Sequence, residues 1–119
     1  MEKELSVNLA EFMETDYPTG RTAEEGTPSG ETFRQYILDS WDKYEKINIL
    51  FEGIVKMTRT FVDEAVAKLL EEHTLEEFNL KIYLPDAKEQ VVQELNAAIK
   101  IRLKIVASKR EREKDALGL

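Results

Sequence analysis

A chain of 119 residues is the size of one domain and is long enough to bury a core without disulfide staples. Its 17 basic and 24 acidic side chains leave a net charge of −7, which argues against a nucleic-acid module and against a polybasic membrane-surface patch. There is no cysteine and only one histidine, His73, so thiolate chemistry and Cys- or His-pair metal sites are excluded, and no metal or cofactor is expected. No apolar run approaches the roughly 20 residues of a membrane span. Met1-Glu2-Lys3-Glu4-Leu5 lacks the basic start and apolar stretch of a signal peptide, so the expected compartment is the cytoplasm.

The first apolar segment runs from Leu5 to Phe12. Leu5, Val7 and Leu9 alternate with Ser6 and Asn8, which is the period of a strand. Residues 15–30 follow, rich in Gly, Pro and Thr, and form a loop by composition. Connections of this length in small domains tend to be functional. Thr27 before Pro28, or Ser29 before Gly30, can cap the next helix. Phe33, Tyr36, Ile37, Trp41 and Tyr44 recur at three and four residues, one face of a helix ending near Tyr44. Residues 46–52 predict a buried strand ended by Gly53, and 54–59 a connector.

Thr60 then opens a second helix. Asp63 stands three residues on, a Thr-x-x-Asp variant of the capping box with Asp63 as helix cap. Phe61, Ala65 and Leu69 with Val62, Val66 and Leu70 give it a wide apolar surface. Residues 78–84 alternate as a third strand, broken by Pro85, and Asp86 can cap the last helix. From Ala87 to about Lys114 there is neither Gly nor Pro, and Val92, Leu95, Ile99, Leu103 and Val106 form a stripe. Residues 99–105 also alternate like a strand, yet only Asn96 is available to reverse the chain, so one long helix is favoured. Helices between successive strands predict an α/β fold, a small mixed or mainly parallel sheet with helices packed on it and a long C-terminal helix. The expected organisation is a single domain over 1–119, with a core at about 5–106 and a charged tail over 107–119.

Thr19-Gly20-Arg21, Glu25-Gly26, Ser29-Gly30-Glu31 and Phe33-Arg34 resemble the first signature of bacterial STAS-like domains of unknown function. Thr60-Phe61-Val62-Asp63-Glu64-Ala65 resembles the second, and the likeness spans about residues 5–105. The family is similar to STAS domains, small α/β regulators that bind a kinase-like partner and are switched by phosphorylation on the turn from strand to helix. The resemblance places Thr58, Arg59 and Thr60 over that turn. Arg59 stands where the phosphoacceptor is usual, leaving Thr58 and Thr60 as the hydroxyls available.

Two candidate sites follow. The Thr58-Arg59-Thr60 turn is either a helix cap or a phosphoacceptor and partner contact beside Arg59. Arg21, Ser29, Gly30 and Arg34 either form an anion site at the start of a helix, or the two arginines pair with Glu24, Glu25, Glu31 or Asp63 and pin the loop down. His73 is expected on the surface and Trp41 in the core. No nucleophile–base pair or Gly-x-Ser-x-Gly elbow is present, so no enzyme activity is expected. The resemblance implies a non-enzymatic regulatory protein-interaction module with a kinase-like or sigma-regulatory protein partner, acting in signalling or partner switching. The alternative is a small anionic ligand or nucleotide-binding domain using the Gly20–Arg34 loop. A helix of about 28 residues overhangs so small a body, and a homodimer through the C-terminal helix is expected to cover its stripe.

Overall fold

The computed structural model describes residues 2–118. Strand β1 (Glu2–Asn8) pairs in parallel with β2 (Tyr44–Leu50), and β2 pairs in parallel with β3 (Ile82–Tyr83), so the sheet order is β1-β2-β3. The register sets Leu5 beside Ile47, Val7 beside Ile49 and Ile47 beside Ile82, which makes one face aliphatic. The other face is polar: Asn48 donates its amide to Glu4 (3.0 Å) and Ser6 (3.2 Å), and Lys46 lies over the Tyr83 ring. A sheet with one aliphatic and one polar face packs its helices on the aliphatic side.

The alternation from Leu5 does not continue through Leu9. The Asn8 side chain accepts the Glu11 N–H at 2.9 Å and caps α1 (Leu9–Met13), so Leu9 enters the core from a helix. Helix α2 (Gly30–Ser40) starts at Ser29, whose hydroxyl accepts the Thr32 N–H while Thr32 accepts the Ser29 N–H. Phe33 and Ile37 are its fully buried residues. It ends four residues before Tyr44, which opens β2 instead of closing the helix.

The second expected helix is two elements. α3 (Arg59–Ala65) breaks at Val66, whose φ of −125° is not helical, and a 3-10 turn (Ala67–Glu71) follows. Phe61, Val62, Val66, Leu69 and Leu70 are all buried, so packing on every side outweighs helical continuity.

The third expected strand is mostly helix. α4 (Leu75–Lys81) covers residues 78–81 and leaves only Ile82–Tyr83 in the sheet. Thr74 and Glu77 form a reciprocal capping box, and that local signal wins over an alternation that buries Phe78 but leaves Leu80 69% exposed. α5 (Glu89–Ala116) is one helix of 28 residues, and residues 99–105 lie inside it. Asp86 does not cap it. Lys88 stands at the cap position without a side-chain bond, while the Asp86 carboxylate accepts the Phe51 and Glu52 N–H groups at 2.8 and 3.1 Å. Leu95 and Ala98 seat α5 on the core, and the helix, about 42 Å long at 1.5 Å per residue, runs past it. No helix among the described residues is long and apolar enough to cross a membrane.

Candidate functional site

The loop over 14–29 folds onto the β2–α3 connector. The Val55 N–H donates to the Asp16 carbonyl at 2.8 Å and the Thr58 N–H to that of Pro18 at 3.2 Å. The Thr60 hydroxyl donates to the Thr19 carbonyl at 3.1 Å, and the Thr58 hydroxyl donates to the same oxygen. Thr58, not Thr60, caps α3, since its Oγ1 accepts the Phe61 N–H at 3.2 Å. The expected Thr60–Asp63 capping box is therefore displaced by two residues. Its physical reason is the loop: with Thr58 held against Thr19, the helix begins two residues earlier. Arg59 and Thr60 are exposed, while Thr58 is half-buried.

At α2 the loop comes back across the helix start. The Gly30 N–H donates to the Gly20 carbonyl (3.4 Å) and the Glu31 N–H to that of Arg21 (2.9 Å). The Thr32 and Phe33 N–H groups go to the Ser29 hydroxyl (3.2 Å) and carbonyl (3.0 Å). All four donors of the helix start are used within the chain, so Ser29 and Gly30 offer an anion no free N–H.

Of the four residues sought there, Arg21 and Arg34 converge on a pair of carboxylates and Gly30 packs against one of them, while Ser29 only caps α2. Asp63 is not a helix cap; it is turned into the protein, where Arg102 grips it with a fork, Nε to Oδ1 at 3.0 Å and Nη2 to Oδ2 at 2.5 Å. Arg21 reaches the same Oδ2 at 2.6 Å and Glu64 at 3.3 Å. Arg34 donates to the Glu64 carbonyl at 2.8 Å and to its carboxylate, which Lys68 also reaches at 3.0 Å. Of the acidic partners expected for the arginines, only Asp63 is taken. Glu24, Glu25 and Glu31 form no ion pair among the described residues. Gly30 completes the packing: a Cβ built there meets the Glu64 Cβ at 3.0 Å and Cγ at 3.1 Å, so a side chain there requires α2 or Glu64 to give way.

Burial alone raises the carboxyl pKa of both acids, and their cations outweigh it. Arg102 and Arg21 hold Asp63 below the usual carboxylate range, and Arg34 with Lys68 does the same for Glu64. Both groups thus stay charged in a nearly water-free setting. That suits them to hold elements together, and it leaves neither as a proton donor at neutral pH.

The family described as a STAS-like domain of unknown function matches residues 29–92, more than half of the chain. The chain belongs to this family. No curated protein and no solved structure matches it. The STAS-like segment starts at the α2 cap and ends in the first turn of α5. It contains Arg34, Lys68 and both carboxylates, whereas Arg21 and Arg102 come from the flanking loop and the far part of α5.

Sequence reasoning missed Glu64, Lys68 and Arg102 as network members. The signal was present for two of them. Glu64 lies, with Asp63, inside the otherwise apolar run Phe61–Ala67, and Arg102 lies on the α5 stripe four residues after Ala98 and seven after Leu95. A charge on a buried stripe needs a partner. His73 is half-buried rather than on the surface: its ring stacks on Trp41 with centroids 3.8 Å apart.

Proposed function

We propose that this STAS-like chain is a regulatory protein-interaction module of a signalling or partner-switching system, with no chemistry of its own. The observation that carries this reading is the β2–α3 connector. Val55 is 78% exposed and Tyr17 beside it 42% exposed, with the Lys56 ammonium over the Tyr17 ring, and the exposed Arg59 and Thr60 follow. The backbone beneath them is tied to the loop by the Asp16, Pro18 and Thr19 carbonyls, so the patch is presented on a rigid base. A fixed apolar and aromatic patch rimmed by basic side chains is the kind of surface another protein covers.

The partner this reading calls for is a kinase-like or sigma-regulatory protein. Of the two hydroxyls, Thr60 is the one a kinase reaches. Thr58 is committed to the α3 cap and to Thr19. A phosphate on Thr60 would give up its bond to Thr19, loosen the loop and sit next to Arg59 in sequence. The second contact is with another copy of the chain along α5.

The test is co-expression with a kinase-like partner. A complex should survive size exclusion, be lost in Val55→Glu and persist in Leu80→Glu, another well-exposed apolar site, on α4. Mass spectrometry should place any phosphate on Thr60. A complex indifferent to Val55→Glu sinks the assignment of this surface.

A further inference from the structure

We propose that the pocket between α3 and α5 binds a phosphomonoester. The pocket is an open depression of about 260 Å³, and it joins parts that are far apart in the sequence: Arg21 from the loop, Arg59, Thr60 and Asp63 from α3, and Arg102 from α5. Ile101 and Ile105 form its apolar wall and are 46% and 42% exposed.

Three arginines and one carboxylate line the pocket, and Glu64 and Glu71 beside it also pair with Arg21 and Arg102, so Arg59 is the lining cation without an acidic partner among the described residues. The carboxylate is spent. Both Asp63 oxygens are taken by Arg102, and one of them also by Arg21. Arg102 uses its remaining terminal nitrogen on Glu71 at 3.3 Å. Two sets of donors are left over. Arg21 bonds the network through Nη1 alone, leaving Nε and Nη2 without a partner among the described residues. Arg59 makes no ion pair and no side-chain hydrogen bond among them. The Thr60 hydroxyl proton is directed to Thr19, so that oxygen can only accept.

These features select the ligand. Planar guanidinium forks match phosphate oxygens in pairs. The isoleucine wall suits a small carbon body attached to the phosphate. At about 260 Å³, open on one side to solvent, the space is sized for the phosphate end of a small ester. The phosphate can be that of a free small molecule or of a phosphorylated side chain, and both present the same group to Arg21 and Arg59.

The test is titration of the 15N-labelled full chain with phenyl phosphate, with a phosphothreonine peptide and with inorganic phosphate. Phenyl phosphate should give saturable shifts at the Arg59, Thr60, Ile101 and Ile105 amides. Arg59→Gln should weaken binding about tenfold, the effect of losing a charge-assisted contact. Lys104→Gln, an exposed charge outside the pocket, should leave it unchanged. Tighter binding of the peptide assigns the phosphate to a modified protein, and tighter binding of phenyl phosphate assigns it to a free metabolite. The proposal is overturned by the absence of saturation, by equal weakening in the two variants, by inorganic phosphate binding as well as phenyl phosphate, or by shifts centred on Ser29 and Gly30. Val55 lies outside this pocket, so loss of the Val55-dependent complex and loss of phosphate binding are separable results.

Discussion

Gly30 shows how far a single position can run against its intrinsic preference. In an isolated helix alanine is better than glycine by about 1 kcal/mol. Here a Cβ would press on the Glu64 Cβ at 3.0 Å and the Gly20 carbonyl at 3.3 Å. Glu64 cannot yield, because Arg34 and Lys68 hold its carboxylate. Gly30→Ala should therefore destabilise by about 1–3 kcal/mol, the cost of overpacking, and a urea midpoint at or above that of the wild type would show the helix preference winning instead. The threonines of the turn separate in the same way. Thr58→Ala removes the α3 cap and should cost about 1 kcal/mol. Thr60→Ala removes one exposed bond to Thr19 and should cost about half that, read as two distinct denaturation midpoints. The sequence pointed to Thr60 as the cap, and the structure moves the cap to Thr58, which the Thr19 carbonyl, far away in the sequence, holds in place.

Five segments meet at the two carboxylates: the loop through Arg21, α2 through Arg34, α3 through Asp63 and Glu64, the 3-10 turn through Lys68 and Glu71, and α5 through Arg102. Both acids have lower pKa values folded than their usual 3.8 and 4.5. A lowered folded value stabilises above the unfolded pKa and loses that stability as pH falls through the folded one. The unfolding free energy should thus be level near neutrality and drop as pH falls below about 4.5, and Asp63→Asn should flatten part of that slope. Asp63→Ala should cost about 3 kcal/mol at pH 7, because it leaves Arg102, with a side chain only 11% exposed, nothing but its 3.3 Å contact with Glu71. A pH profile of Asp63→Asn parallel to the wild type would remove Asp63 from this role. The helices of this network were legible where long apolar periodicity was their signal, as in α2 and α5. Elements decided by short-range caps were not. Thr74 and Glu77 turn the alternating run 78–81 into α4, and Asn8 turns Leu9 into the start of α1. The loop-to-acid pairing was legible in part: Asp63 stood among the partners named for Arg21, but sequence does not say that α5 crosses α3 at Arg102.

The molecule is 49 Å long against 32 Å in its other two directions, and α5 accounts for that asymmetry. Below the exposed isoleucines, on the flank away from the phosphate pocket, α5 and α4 enclose a groove of about 480 Å³ lined by Leu75, Phe78, Val92, Ile99 and Leu103. Along this flank Val92, Asn96, Ile99, Leu103 and Val106 recur at three and four residues, the spacing of a helix–helix seam. Glu89 lies at one end of the seam and Arg110 at the other. Two copies laid antiparallel about residues 99 and 100 set Glu89 of each opposite Arg110 of the other, and Val92 opposite Ala107. That arrangement is self-complementary, as a two-fold interface must be. A parallel pair would set like charges together. Light scattering should accordingly give twice the 13.8 kDa chain mass. Val92→Glu, at a site 37% exposed and so tolerable to the fold, should return it to a monomer. Glu89→Arg and Arg110→Glu should each weaken the dimer, and the two together should restore it, because the swap rebuilds both end pairs only if the helices run antiparallel. A wild-type chain that stays at the single-chain mass, or a double swap no better than either single change, would show that the seam is not covered in this way.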